Sequence, residues 1–479
     1  MSTSSKTISL KQSLIPLLVL IILLAYNVTL YGDSAMGGSN QFILLIGASV
    51  ATIVGVKNGV LFKSMLESIS SNIKSITGAI LILLFVGALS GTWLISGIIP
   101  SMIFYGLKIL HPSIFLPSCV IICAIISIST GSSWTTSATV GIALIGIGKA
   151  IGIPVGMVAG AVISGAYFGD KLSPLSDTTN LAPAVSGTDL FTHIKYLTIT
   201  TVPTIIITLI VLSILNLFIV STGPTENDQM LKTISKTFNI TPLLFIVPII
   251  VLIMIFKKTP PLIALFVGTV LGGIFTVIFQ SSIINSISQT SDLTYQSAYR
   301  VIIDAITVET SIDSGDENLN ELFQSGGMKG MLDTIWLVIC AMVFGGVMEA
   351  IGALKQISIS LLNLGKSTFS IFASTVGSCL AINLTASDQY LSIVIPGKMF
   401  SKAFKDRDLA PENLSRTLED SGTVTSVLIP WNTCGAFQSS ILGVGVFDYF
   451  IYAIFNWLSP FTTLVVAALN IKIKKLTKI

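Results

Sequence analysis

The chain has 479 residues, of which 52% are hydrophobic and only 10% charged. Soluble proteins carry about 25% charged residues, so this composition excludes a soluble enzyme and points to an integral membrane protein. The formal net charge of +3 gives no reason to expect a nucleic-acid partner.

Apolar runs close to the length needed to span a bilayer, about 20 residues, recur from end to end. They cover residues 14–30, 42–56, 198–220, 243–256 and 331–351. A β-barrel would instead alternate apolar and polar positions over about 10 residues, so the chain reads as an all-α polytopic membrane protein. The first run follows Lys6 and Lys11 and imitates a signal peptide. It is longer than a signal core of about 7–15 residues and no small-x-small cleavage site follows, so it reads as a retained first helix. Cys119, Cys123, Cys340, Cys379 and Cys434 all sit in apolar segments and read as small core residues. No phosphate-binding glycine motif is visible, which argues against a nucleotide-driven pump, and no cofactor is expected.

Residues 114–148 form an apolar–polar–apolar unit with arms of about 15 residues, short for a full crossing. They predict a re-entrant hairpin whose tip carries Ser132, Ser133, Thr135 and Thr136. Further on, Gly152, Gly156, Gly160 and Ser164 repeat at four-residue intervals, a ridge of small residues for close helix packing. Then comes Phe168-Gly-Asp-Lys-Leu-Ser-Pro-Leu-Ser-Asp-Thr-Thr-Asn180, a polar run inside an apolar chain. Carboxylates at bilayer depth are costly and mark ion or substrate paths, and broken backbone there must line a wet cavity or be buried in protein. This run predicts an interrupted helix with Asp170, Lys171, Ser173, Ser176, Asp177, Thr178 and Asn180 at a transport site.

The second half repeats the first. Phe85-Val-Gly87 matches Phe344-Gly-Gly346, the tip Gly131-Ser-Ser-Trp-Thr135 matches Leu384-Thr-Ala-Ser-Asp388, and Pro174–Thr178 matches Pro430–Cys434, at an offset of about 256 residues. The offset is smaller upstream, and a polar insertion over about 281–330 takes up the difference. The expected architecture is therefore two repeats, 1–225 and 226–479, with about 10 spanning helices, two re-entrant hairpins and two interrupted helices. The second hairpin covers 369–400 and offers Asn383, Thr385, Ser387 and Asp388. The second broken helix offers Asp420, Ser421, Thr423, Asn432 and Thr433. Five crossings per repeat require the second to be inverted, and paired interrupted segments in two such halves point to a transporter site.

The basic residues fix an orientation. With the N- and C-termini in the cytoplasm, Lys6, Lys11, Lys57, Lys63, Lys74, Lys195, Lys257, Lys258, Lys355, Lys366, Lys398, Lys402, Lys405, Arg407, Arg416, Lys472, Lys474, Lys475 and Lys478 fall inside. Only Lys108, Lys149, Lys232, Lys236, Arg300 and Lys329 fall outside, as the positive-inside rule requires. The acidic residues of the insertion, Asp304, Glu309, Asp313, Asp316, Glu317 and Glu321, also fall outside.

Asp177 and Asp388 are the leading candidates for ion binding, because a structural carboxylate in this setting needs a partner. With Ser133 and Thr385 they make the expected Na⁺ ligand set. Ser132, Thr135, Ser176, Thr178, Asn180, Ser387, Asn432 and Thr433 supply further oxygens, which suit a hard cation. Asp170 is a weaker candidate, since Lys171 beside it can pair with it in a structural or gating salt bridge. Asp420 is placed at the cytoplasmic mouth, His193 at the cytoplasmic surface, and Glu349 near the interface. His111 falls in an exterior loop. An excess of carboxylate over lysine favours a cation substrate, and Na⁺ and H⁺ then compete for the same oxygens. An anion would instead want arginines or free helix N-termini, of which the breaks supply the latter.

Gly131-Ser-Ser-Trp134, Val140–Gly146, Ser164–Pro183 with its Phe-Gly-Asp-Lys-Leu-Ser-Pro-Leu-Ser-Asp-Thr-Thr-Asn core, and Gly187–Ile194 resemble the NhaC family of bacterial Na⁺/H⁺ antiporters. So do Leu384–Asp388, Glu419-Asp-Ser-Gly422 and Pro430–Thr433. Members commonly have Gly-Thr-Ser-Trp where this chain has Gly131-Ser-Ser-Trp134, which keeps the hydroxyl. The resemblance implies the ion-transporter superfamily fold, a homodimer in a bacterial plasma membrane, and exchange of cytoplasmic Na⁺ for external H⁺ by alternating access. It also implies an alternative, because similar proteins exchange malate and H⁺ for lactate and Na⁺, which would add a small carboxylate as substrate. A passive cation channel is the alternative of another class. A membrane-embedded enzyme fits poorly, with only two histidines in the chain and no nucleophile–base pair in the core.

Overall fold

The computed structural model describes residues 8–31, 37–219, 224–290, 293–315, 320, 322–365 and 367–476. Lys6, Lys366, Lys478, Asp316, Glu317 and Glu321, used above, lie outside them. The protein is almost wholly helical; among the described residues only Thr310–Ser311 and Gln324–Ser325 pair as strands, antiparallel. By length and apolar composition eight described helices can cross a membrane, or up to nine if the bent pair Asp228–Thr237 and Pro242–Phe256 counts as one. The first arms of both hairpins are among the eight, as Pro112–Thr130 and Thr368–Ala386, so these arms are longer than the 15 or so residues expected.

The two hairpins turn in the same way. Phe115–Thr130 ends at Gly131 with φ 69°, and Ser133–Thr136 restarts the chain through a π-helical turn, Ser137–Gly141, into Ile142–Ala150. Thr368–Ala386 ends at Ser387 with φ 59°, and Gln389–Lys405 follows. Left-handed backbone is costly for a residue with a side chain, so Ser387 is held there by its surroundings; its carbonyl accepts from Thr433 N at 3.0 Å. The residue after each turn caps the next helix. Ser132 Oγ accepts from Thr135 N at 3.1 Å, and Asp388 Oδ1 accepts from Leu391 N at 2.9 Å.

Both broken helices restart alike too. Val155–Leu172 ends before Pro174, and Ser176 caps Asp177–Ser186. In the second half Pro411–Leu418 runs into a π-helical turn, Glu419–Thr423, and Asn432 caps Thr433–Leu442. Left-handed residues close the two restarted helices at Gly187 and Gly443. The tip pairing that matches these conformations is Gly131 with Ser387 and Ser132 with Asp388.

Close backbone contacts hold the first broken helix in place. A Cβ on Gly165 would come within 2.3 Å of the Val120 carbonyl oxygen, and one on Gly169 within 2.4 Å of that of Ala124. Gly156 and Gly160 lie equally close to Asp448 and Tyr452. Two members of the predicted ridge therefore pack tightly, Ser164 is buried, and Gly152 belongs to the preceding turn rather than to the helix. All five cysteines are buried and free.

The polar insertion is folded and packs on a spanning helix. Its helix Tyr295–Thr307 and the strand pair lie against the spanning helix Thr77–Ile95. A Cβ on Gly91 would meet the Ala305 carbonyl oxygen at 1.8 Å, one on Gly87 would meet that of Gly327 at 2.3 Å, and Ser90 Oγ lies 2.8 Å from Ser325 Oγ.

Candidate functional site

Both hairpin tips and both helix breaks meet at one cavity of about 470 Å³. Its walls are Thr130–Thr135, Asp170, Leu175–Thr178, Asp388–Tyr390 and Thr433. Ser75, Ile76, Gly78, Ala79, Ile82, Ile255 and the loop Lys258–Pro261 complete it, and its rim carries the exposed residues Ser75, Gly78, Lys258 and Pro260. Four capped helix N-termini, at Ser132, Ser176, Asp388 and Asn432, lie in these walls or directly beside them.

Asp170 is the carboxylate where tip and break touch. It is 9% exposed, and its Oδ2 accepts from Ser133 N at 3.1 Å and Ser133 Oγ at 2.7 Å. That leaves Oδ1 for the cavity. Asp388 is 5% exposed and spends Oδ1 on its own helix cap, leaving Oδ2. Asp177 is exposed at the first turn of its helix and faces the cavity as a solvated charge. Ser132, Thr135, Ser176, Thr178 and Thr433 also line the cavity.

Four other expected ligands do not line it. Thr385 Oγ1 donates to the Ala381 carbonyl at 2.7 Å, the usual fate of a hydroxyl inside a helix. Asn180 Nδ2 donates to the carbonyls of Ser176 at 2.7 Å and Pro174 at 2.9 Å, closing the break it follows. Asn432 Nδ2 holds Asn383 at 3.2 Å while Oδ1 caps its helix. Ser387 Oγ is buried without a partner. Among the described residues no three Asp, Glu, His or Cys side chains converge as a metal cluster.

Lys171 does not pair with Asp170. Adjacent helical residues point about 100° apart, and Lys171 turns away from the cavity to an ion pair with Asp420, both fully buried. Ser459 Oγ lies 3.3 Å from each, and Thr463 donates to the other Asp420 oxygen. Asp420 is thus an interior residue, not one at a mouth. His193 is also fully buried, its Nδ1 2.8 Å from Ser415 Oγ, against the expectation of a surface position. Glu349 is exposed, as its interfacial placement anticipated.

Several site residues escaped the sequence reading. Gln389 and Tyr390 line the cavity beside Asp388, and Lys258 lies at its rim. Trp134 stacks on Phe437 with ring centroids 3.9 Å apart, tying the first tip to the second restarted helix. Glu419, fully buried, accepts from Thr178 Oγ1 at 3.0 Å. The signal for Glu419 was present, since a second acid beside Asp420 in an apolar setting needs a partner.

Comparison with known proteins shows the family. The model of the Na⁺/H⁺ antiporter family matches residues 165–471. The chain belongs to the Na⁺/H⁺ antiporter family. Within the family it is 38% identical to the Na⁺/H⁺ antiporter NhaC of Alkalihalophilus pseudofirmus, over 90% of each chain. It is 35% identical to NhaC of Bacillus subtilis over 85% of this chain and 87% of that one. It is also 35% identical to the malate-2H⁺/Na⁺-lactate antiporter of Bacillus subtilis, over 88% of this chain and 86% of that one. Family membership and the apolar helices together make this a multi-pass membrane protein of an antiporter family.

Proposed function

We propose that the protein exchanges cytoplasmic Na⁺ for external H⁺ across a bacterial plasma membrane, as a homodimer with both termini inside. The observation that carries the reading is the meeting of Asp170 and Asp388, both more than nine-tenths buried, at one cavity walled by hydroxyls. A buried carboxylate without a partner is costly, so each free oxygen favours a cation or a proton over neither. Na⁺ and H⁺ then exclude one another, and an empty charged site is the state least able to cross.

Asp170 Oδ1 and Asp388 Oδ2 are the leading ligands in this account, helped by Ser132, Thr135, Ser176, Thr178 and Thr433. Ser133 acts through Asp170, which it orients. Asp177 gathers cations at the entrance, a field effect rather than a coordination bond. Asn180, Thr385, Ser387 and Asn432 act as positioning residues that shape the breaks and the second tip. The Lys171–Asp420 pair fastens the two broken helices to each other.

The cavity opens between Ser75–Gly78 and Lys258–Pro260, where Lys74, Lys257 and Lys258 cluster. The positive-inside rule makes that face cytoplasmic, so this is the inward-open state. Two inverted repeats supply the outward-open state by exchanging conformations, with the hairpins and broken helices moving against the remaining helices.

One observation favours a second reading. A cavity of about 470 Å³ far exceeds one Na⁺ ion and falls in the range of small-molecule sites, about 300–1,000 Å³. Four helix N-termini at or beside it favour negative charge. Both features suit a small carboxylate entering with the cation, as the name of the malate/lactate relative describes for that protein. Uptake of ²²Na⁺ driven by a pH gradient in proteoliposomes decides between the readings. Full flux without any carboxylate supports Na⁺/H⁺ exchange, and flux only with malate or lactate present supports the second. Flux that never accumulates Na⁺ against its gradient would mean a channel.

A further inference from the structure

Glu419 opens the π-helical turn Glu419–Thr423, a rare local form that often marks functional sites. Its side chain is fully buried and does not line the cavity. Oε1 accepts from Thr178 Oγ1 at 3.0 Å, while Oε2 has no hydrogen-bond partner among the described residues. Thr178 does line the cavity, and its hydroxyl lies 3.2 Å from that of Ser176, which lines it too. Two hydroxyls therefore connect the Glu419 carboxyl to the cation's compartment.

Leaving an ionised carboxylate oxygen unpartnered in the interior costs several kcal/mol unless a cation or a proton takes that place. The surroundings select the proton. Lys171 brings positive charge close by, and it is already spent on Asp420. Arg416 lies over the Tyr196 ring at 4.7 Å with no hydrogen bond of its own among the described residues. Glu419 does not line the cavity, and a Na⁺ ion needs several oxygen ligands, whereas a proton needs a single covalent O–H bond. Asp170 and Asp177 lie on the cavity side, and His193 bonds to Ser415 behind the turn. Of the other helices packed on the turn, Thr368–Ala386 and Ile454–Ala468 carry no charge, and Gln389–Lys405 carries only lysines from Lys398 onward.

We propose that Glu419 carries the exchanged proton, on a carboxyl separate from the carboxylates that meet Na⁺. The inference rests on the antiport reading above and adds a division of labour to it. In the forward step the carboxyl turns its O–H towards Thr178, the O–H bond breaks, and the proton passes by way of the Thr178 and Ser176 hydroxyls to cavity water, leaving a carboxylate. Reprotonation from the other side reverses it. Na⁺ at Asp170 lowers the repulsion between Asp170 and the Glu419 carboxylate, so cation binding and proton release favour each other through one electrostatic contact.

The test compares wild type, Glu419→Gln and Glu419→Asp in proteoliposomes, reading ²²Na⁺ uptake driven by a pH gradient and ²²Na⁺/Na⁺ exchange at equal pH. The proposal predicts that Glu419→Gln loses about tenfold or more of the pH-driven uptake, at least about 1.4 kcal/mol of coupling, but keeps Na⁺/Na⁺ exchange. Glu419→Asp should restore pH-driven uptake with a displaced pH profile. Glu419→Gln with wild-type pH-driven uptake and pH profile would overturn the proposal. So would loss of Na⁺/Na⁺ exchange in Glu419→Gln, which would make Glu419 a structural group or a cation ligand. A wild type that exchanges Na⁺ but never responds to a pH gradient fails one step earlier and defeats the antiport reading itself.

Discussion

Removing one member of the Lys171–Asp420 pair should cost more than removing both. Each side chain is fully buried, so a lone survivor is a charge left in the interior, at about 3–5 kcal/mol. The two survivors are not equally stranded. After Lys171→Met, Asp420 keeps donors from Ser459 and Thr463, and hydrogen bonds to a charged group contribute about 1.5–3 kcal/mol each. After Asp420→Ala, Lys171 keeps one hydrogen-bond partner among the described residues, Ser459 Oγ at 3.3 Å, with the Phe455 ring at 5.5 Å. Lys171→Met should therefore fall near the lower end of that range and Asp420→Ala near the upper end. The double variant leaves no buried charge at the pair and should recover much of the loss, giving a coupling energy of about 2 kcal/mol or more in a double-mutant cycle. The assay is denaturant unfolding of purified protein in detergent micelles. Additive losses, or a milder effect of Asp420→Ala than of Lys171→Met, would refute the reasoning.

Three further predictions concern packing, pH and the cavity. Gly91→Ala places a methyl 1.8 Å from the Ala305 carbonyl and should destabilise by about 3 kcal/mol through overpacking. Gly78→Ala, which meets nothing within 4 Å, should change melting by little or raise it. Lys474 pairs with Glu412 at 2.5 Å, and that partner holds its ammonium above the ordinary lysine value of 10.5. A raised value means a contribution complete below 10.5 and lost only as pH rises through the raised value. Lys474→Ala should thus lower the melting temperature slightly and equally from neutral pH to below 10.5, with the difference fading above it. A difference that grows with alkalinity would contradict this. Asp177→Asn, at the exposed entrance, should weaken Na⁺ affinity by about tenfold or less while leaving maximal flux near wild type; abolished flux would make it a ligand instead.

The helical membrane fold was legible because apolar length and composition alone demand it. The four polar pieces were legible for the same reason, since hydroxyls and carboxylates in apolar segments stand out by cost. What the sequence hides is direction. Asp170 and Lys171 are neighbours in the chain, yet helical geometry sends one to the cavity and the other to a partner 249 residues away. Thr385 and Thr433 look alike as letters, but one bonds to its own helix and the other lines the cavity. His193 sits among polar residues that read as surface, and Pro411–Leu418 packs on its helix and meets it through Ser415. The packing of the insertion was not read from its polar sequence. Gly87 and Gly91, four apart on an apolar helix, were the available sign that something packs closely there.

The central claim is that buried carboxylates at the cavity couple Na⁺ to H⁺, with Asp170 foremost. The most direct test is ²²Na⁺ uptake into proteoliposomes driven by a pH gradient, wild type against Asp170→Asn, with no organic substrate present. Asparagine keeps the shape and the acceptor for Ser133 but cannot carry the charge that draws in the cation. The account predicts robust uptake in wild type and a loss of about 100-fold, about 2.7 kcal/mol, in Asp170→Asn. Equal uptake in the two proteins would contradict it.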